Sequence, residues 1–379
     1  MTGVLFRFIL RRPGLVLGLL FAVSAALSAG AVRLRLPLPA AADGGTSPLL
    51  VRINGGAAGD PAPETDEGRR LLRRDLKIYV PLAGGLAFLL LLASFLCWEG
   101  VLPPLASAVL PLVWILTLLP LPPGHADLWN PLLLHLLLSG IFGPAVHLLY
   151  RYRENLAMIH DRPEALGIAC RRVLPTAALP WAVTVASFGI LAATDPEAPR
   201  AFGVLGAAGT AAMAVSAGVF LPALLVLSPR LPPRNPLSVF ERTARRWIPA
   251  WSNACRDRRP AILAMFAGIT AGAAYAVSAL GPGAGLGALL AAGPALAPAA
   301  HLLEALRAEG TAERAIESAG RPAAAAGLFL AGGFAVLPAS DYSGMAAAGL
   351  GGGMTALWGL VLGLAVIPAV ASKRPRKRR

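Results

Sequence analysis

Charge is scarce in this chain. Asp, Glu, Lys and Arg make up only 14% of its 379 residues, where a soluble domain carries about a quarter. That scarcity argues against a water-exposed globular surface. Cysteine is nearly absent as well: Cys97, Cys170 and Cys255 stand far apart, with no paired spacing, so neither a disulfide framework nor a zinc site is expected. The glycine pairs at 55–56 and 84–85 lack the Lys-Ser/Thr that completes a phosphate-binding loop, which excludes a nucleotide-driven pump of that type. No HExxH, CxxC or G-x-S-x-G sequence occurs, so proteolytic, hydrolytic and other enzymatic chemistry has no sequence support. No cofactor or metal is implied. Aromatic residues are few and do not interleave with the basic ones. The net charge of +14 therefore does not describe a nucleic-acid platform.

Long apolar runs fill the space that charge leaves. The composition is 56% hydrophobic, and the apolar residues come in runs near twenty rather than in amphipathic stripes. Such runs sit in lipid, where a helix satisfies its own backbone hydrogen bonds. The expected fold class is an all-α polytopic membrane protein of about ten transmembrane helices, at 13–32, 78–98, 101–122, 129–150, 174–194, 202–227, 260–280, 284–305, 322–340 and 344–371. The expected organisation is a first helix within 1–32, a short external segment 33–77, a five-helix bundle 78–227, an inner linker 228–259, a four-helix bundle 260–371 and a basic tail 372–379. The first run follows Arg7, Arg11 and Arg12 and reads as a retained helix rather than a cleaved leader.

The basic residues orient the bundle. With the N-terminus inside, inner segments hold 25 of the 34 Lys and Arg, and the outer segments hold nine, eight of them in 33–77. This asymmetry places both termini in the cytoplasm. Segment 33–77 is the one breach of the rule, and it is too short for a core of its own. Two inner segments, 163–173 (PEALGIACRRV) and 237–256 (LSVFERTARRWIPAWSNACR), mix apolar residues with Arg and Trp. They read as helices lying in the interface plane, the second broken at Pro249. The tail SKRPRKRR suits anionic lipid of the inner leaflet or a protein partner.

The chain also repeats itself. GPAVHLL at 143–149 lies against APAAHLL at 297–303, and FGILAATDPEAPRAFGVLG at 188–206 against FAVLPASDYSGMAAAGLGG at 334–352. At a constant offset of 146, Phe188 meets Phe334, Asp195 meets Asp341, Gly206 meets Gly352 and Pro222 meets Pro368, while His147 meets His301 at 154. Two tandem helical repeats are expected, related by an axis along the membrane normal.

These segments carry a family resemblance. HLLYRYRENL at 147–156, the following EALGIACRRV, TVASFGILAATDPEAPRAFGVLGAAG and the exit LPALLVL recur as HLLEALRAEG, ERAIESAGRP and the Phe334–Pro368 stretch. RRDLKIYVPLAGGLAFLLLLASF matches an entry into a second helix. In their order and duplication they resemble the resistance–nodulation–division (RND) superfamily, in particular its MMPL branch of lipid and hydrophobe exporters. The resemblance implies transport or handling of lipids or other hydrophobic molecules in a bacterial inner membrane. It also implies twelve helices and two large external domains, which here are largely lost. The family's fourth helix typically carries a proton-handling Asp one turn before the His. That position is Gly143 here, and its counterpart in the second copy is Ala297, so the usual Asp coupling is not expected.

Ionisable residues inside membrane helices are functional candidates by default. His147 and Tyr150, and His301 and Glu304, lie three apart on shared helix faces and form the candidate polar site, titratable near neutral pH through the histidines. The competing reading is that all four snorkel from inner helix ends to the interface. His135 reads as a hydrogen-bonded packing residue, and Asp195 and Asp341 as residues that end helices on the outer side. The expected partners are membrane lipids, a hydrophobic substrate and other membrane proteins, and a non-transporting scaffold or lipid-sensing subunit is the alternative role. The topology has a direct check. Single cysteines placed in 33–77 should react with an impermeant maleimide from outside intact cells, and cysteines in the tail should react only after lysis. The opposite pattern would invert the orientation.

Overall fold

A computed structural model describes residues 10–20, 66–118, 131–159, 161–193, 197–228, 239–280, 282–340 and 343–371. Among the described residues all regular structure is helical. The elements are α1 (Asp66–Phe95), α2 (Trp98–Leu118), α3 (Pro131–Met158), α4 (Arg162–Ala192) and α5 (Glu197–Val215), which runs through a π-turn, Ser216–Phe220, into α6 (Leu221–Leu227). Then come α7 (Val239–Asp257), α8 (Arg259–Leu280), α9 (Pro282–Glu309) and α10 (Ala312–Ala315). A π-turn, Ile316–Gly320, leads from α10 into α11 (Arg321–Val336), which ends in a 3₁₀ turn, Leu337–Ala339. Finally α12 (Ser343–Val361) passes through a π-turn, Leu362–Val366, into α13 (Ile367–Ala371).

Eight of these stretches are long and apolar enough to cross a membrane: Arg73–Phe95, Leu132–Met158, Arg162–Ala192, Phe202–Leu227, Arg259–Leu280, Ala284–Glu309, Ala312–Ala339 and Met345–Ala371. They coincide with eight of the ten expected spans. The span at 13–32 falls mostly outside the described residues, as does the end of the one at 101–122, whose described part is α2. Segment 33–65, the tail 372–379, Asp195 and Asp341 also lie outside them.

Two expectations need correction. Segment 163–173 is not a separate interface helix but the first turns of α4, a single helix of 31 residues. Ala165, Leu166, Ala169, Cys170 and Val173 are buried in a core with Leu91, Phe95, Tyr152 and Leu225. Pro249 does not break the second segment, because α7 runs through it. The spans α3, α4 and α9 overrun their apolar runs at one end, into charged residues that pair with one another, as described below.

Prolines shape this bundle. A proline inside a helix leaves the carbonyl four residues earlier without its donor, and in lipid that carbonyl needs another. Three such carbonyls receive tertiary donors. Pro111 frees Ser107, whose oxygen accepts from Ser216 Oγ at 2.6 Å. Pro144 frees Gly140, whose oxygen accepts from Trp181 Nε1 at 2.8 Å. Pro368 frees Leu364, whose oxygen accepts from Trp251 Nε1 at 2.7 Å. These bonds tie α2 to the π-turn after α5, α3 to α4, and α7 to the turn before α13. Each of the three π-turns ends two residues before a proline, Pro222, Pro322 or Pro368, where the missing N–H and the ring loosen the helical register.

Small residues allow the remaining close contacts. An added Cβ at Gly287, Gly351 or Gly359 would collide with the carbonyls of Ala348, Ala284 and Ala295, so α9 and α12 pack backbone to backbone. The Phe188 ring occupies the space beside Gly206, and the Phe334 ring the space beside Gly352. Elsewhere, burial pushes the Cys255 thiol up to about 11, so it stays protonated and inert at neutral pH.

The proline argument predicts a contrast between two tryptophans. Trp181→Phe should cost about 1–3 kcal/mol, because the Gly140 carbonyl is left without a donor. Trp358→Phe, whose exposed Nε1 donates to Thr270 Oγ1, should cost under about 0.5 kcal/mol. Thermal unfolding in nanodiscs compares them, and equal losses would contradict the role given to Pro144.

Candidate functional site

α3 and α9 are both 28-residue helices, and each places a histidine in the interior of the bundle. His147 and His301 are 3% and 4% exposed. Their rings stack with centroids 3.7 Å apart and planes 18° apart. Of the four expected site residues, these two come together and the other two do not. Tyr150 turns toward α1 and packs on Phe95, with ring centroids 5.0 Å apart. Glu304 lies part-exposed beside Arg172, 3.3 Å away. Snorkelling therefore describes Glu304 and fails for the histidines.

Hydrogen bonding sets the tautomer of His147. Its Nδ1 lies 2.9 Å from the carbonyl oxygen of Gly143. A carbonyl only accepts, so Nδ1 carries the hydrogen and Nε2 the lone pair. Nε2 of His147 is buried without a hydrogen-bond partner, and so is Nε2 of His301. The stack thus holds a lone-pair nitrogen with no hydrogen-bond partner in the protein. It can take one proton, and a second would place two like charges in contact.

The two positions that the family resemblance marks for Asp adjoin this pair. A Cβ on Gly143 would meet Ala326 Cβ of α11 at 3.7 Å, and Ala297 is buried. Neither supplies an acid. Gly143 contributes its backbone instead, as the acceptor that orients His147.

One turn beyond the histidines lies a charge cluster that includes Glu304. Arg172 bridges Glu304 at 3.3 Å and Glu309 at 3.2 Å. Arg151 pairs with Glu154 at 2.9 Å, approaches Glu309 at 4.0 Å and donates to Ser318 Oγ at 3.2 Å. The cluster joins α3, α4, α9 and the π-turn before α11. Fully exposed pairs contribute about 0.2–1 kcal/mol each; these are only partly exposed. Their effect here is to hold the helix ends together directly beneath the histidine stack. Spacing offered a signal for the local Arg151–Glu154 pair, three apart on one helix, but none for Arg172 and Glu309, which meet across 137 residues.

His135 behaves as expected of a packing residue in one respect. It is fully buried, with Nε2 2.8 Å from the Leu330 carbonyl.

The stack has a specific mutational signature. His301→Phe keeps a flat ring against His147 and should change stability by less than about 1.5 kcal/mol. His301→Ala opens a void and should cost about 2–4 kcal/mol. Denaturation of nanodisc-embedded protein compares them, and equal losses would show that ring contact does not matter here.

Comparison with known proteins places these features. No curated protein matches the chain. The MMPL family model matches residues 56–263, more than half of the sequence. The match takes in α1 to α7 with His135, Gly143 and His147, and ends early in α8, so His301 and its helix lie beyond it. The chain belongs to the MMPL family.

Proposed function

We propose that this MMPL-family protein transports or handles a lipid or other hydrophobic molecule within a bacterial inner membrane, without the usual Asp-based proton coupling. The observation that carries the reading is the His147–His301 stack. It is a buried basic pair joining two helices of the bundle, at the place where Gly143 and Ala297 supply no acid. It stands in as the group that gains and loses charge during the cycle. The protein moves its cargo rather than modifying it chemically.

The reading includes two tandem repeats, within the bundles 78–227 and 260–371, with both termini cytoplasmic and ten spans, the two further ones at 13–32 and 101–122. Its support is the equal length of α3 and α9, the matched Phe188–Gly206 and Phe334–Gly352 contacts, and the π-turns that begin at Ser216 and Leu362. A second reading, a scaffold or lipid-sensing subunit working with a protein partner, is favoured by the backbone-close α9–α12 packing, which resists the opening that a carrier needs.

Reconstituted liposomes separate the two. The carrier reading expects release of a fluorescent lipophilic cargo under an imposed pH gradient, reduced about tenfold or more in the double variant His147→Ala, His301→Ala. No movement by folded wild-type protein under any gradient would end the carrier reading and turn attention to partners captured from native membranes.

A further inference from the structure

His135 sits three turns from His147 on α3, toward the end of the bundle opposite the Arg–Glu cluster. The rings of Tyr79, Phe329 and Phe334 enclose it, with centroids 5.9, 5.5 and 5.0 Å away. Its Nε2 meets the Leu330 carbonyl at 2.8 Å, with Ser139 Oγ at 3.5 Å. The carbonyl fixes the hydrogen on Nε2, so Nδ1 bears the lone pair. That Nδ1 is buried and has no hydrogen-bond partner. Tyr79, in edge contact with His135, is 1% exposed, and its hydroxyl has no partner either. A buried donor and a buried acceptor thus stand unpaired on touching rings. Burying such groups dry is costly, and buried water is the usual remedy.

Space for that water lies beside Tyr79. A cavity lined by Asp75, Tyr79, Ser340, Leu337 and Met345 among others offers about 20 Å³ to the centre of a water molecule, enough for about one water. Ser340 Oγ donates to Asp75 Oδ2 at 2.5 Å on its wall. The Asp75 carboxyl and the Ser340 hydroxyl give a water two polar partners, and Tyr79 lines the same cavity.

We propose that this cavity is a water-binding site and that Tyr79 and His135 form a proton-binding station fed through it. A hydronium in the cavity passes a proton to the Tyr79 oxygen, becoming water, as the Tyr79 O–H passes its own to His135 Nδ1. The tyrosine ends unchanged, and one proton has moved from hydronium to the imidazole. Asp75, on α1, is the anionic group on the cavity wall. Arg73, Arg74 and Lys77 of that helix are exposed. α11 faces His135 with Phe329, Leu330 and Phe334, and α3 adds Ser139; none of these is charged. The use of this station in coupling rests on the carrier reading, but its existence does not.

The test needs no cargo. In nanodiscs, hydroxyl radicals from an X-ray pulse form from bound water, so enclosed residues beside water are oxidised. Met345 and Met213 are both fully buried, but only Met345 lines the cavity. Met345 should be oxidised about tenfold faster than Met213, and Tyr79→Phe should remove most of that difference without changing the melting temperature. Deuterium exchange at the imidazole C2 carbon, which needs both protonation and water, should be measurable at His135 and should slow in Tyr79→Phe. Equal protection of the two methionines, or exchange at His135 that is undetectable or indifferent to Tyr79→Phe, overturns the proposal. Protein that labels as expected yet moves no cargo would lose the carrier reading and keep the station. Protein that moves cargo around a dry cavity would lose the station alone.

Discussion

Every backbone carbonyl that a proline frees inside this bundle has to find a donor without help from water. That constraint organises the packing. Pro144 sits in the middle of α3 and would weaken the helix that carries both His135 and His147. The Trp181 indole of α4 caps the open Gly140 carbonyl and fixes α4 alongside. Ser216 does the same for the carbonyl opened by Pro111, and Trp251 for the one opened by Pro368. The π-turns before Pro222, Pro322 and Pro368 widen the register where no simple α-helix can continue. In the described helices, three of these proline defects thus become tertiary contacts.

The histidine pair depends on the same economy of backbone acceptors. The carbonyls of Gly143 and Leu330 each take one ring N–H, from His147 and His135. In both rings the other nitrogen is buried without a hydrogen-bond partner in the protein. Glycine and alanine at 143 and 297 leave the basic stack with no neighbouring acid at either position. A neutral pair changes its charge on taking a single proton. The Arg151–Arg172–Glu304–Glu309 cluster beneath holds the helix ends and keeps the stack aligned.

Much of this was legible in the sequence, for identifiable reasons. Apolar runs near twenty give spans because lipid permits little else, and eight of the expected ten coincide with described helices. His147 and His301 stood out because ionisable residues inside such runs are rare. Their stacking was not legible, since it depends on how α3 and α9 pack. Tyr150 and Glu304 share helix faces with them by spacing, but Tyr150 is buried against Phe95 of α1 and Glu304 is drawn to Arg172 of α4. The amphipathic look of 163–173 was read as an interface helix because Arg171 and Arg172 are polar. Arg172 is instead drawn to Glu304 and Glu309 from α9, 132 and 137 residues away in sequence.

The central claim is that His147 and His301 form one titrating unit between two helices of the bundle. Solid-state NMR of histidine-labelled protein in lipid bilayers, with His301→Gln for assignment, tests it most directly. The account predicts a through-space correlation between the two rings, an Nδ1-protonated His147, and uptake of a single proton by the pair on acidification. Absence of the ring–ring correlation, independent protonation of both rings, or no protonation of either before the protein unfolds would contradict it.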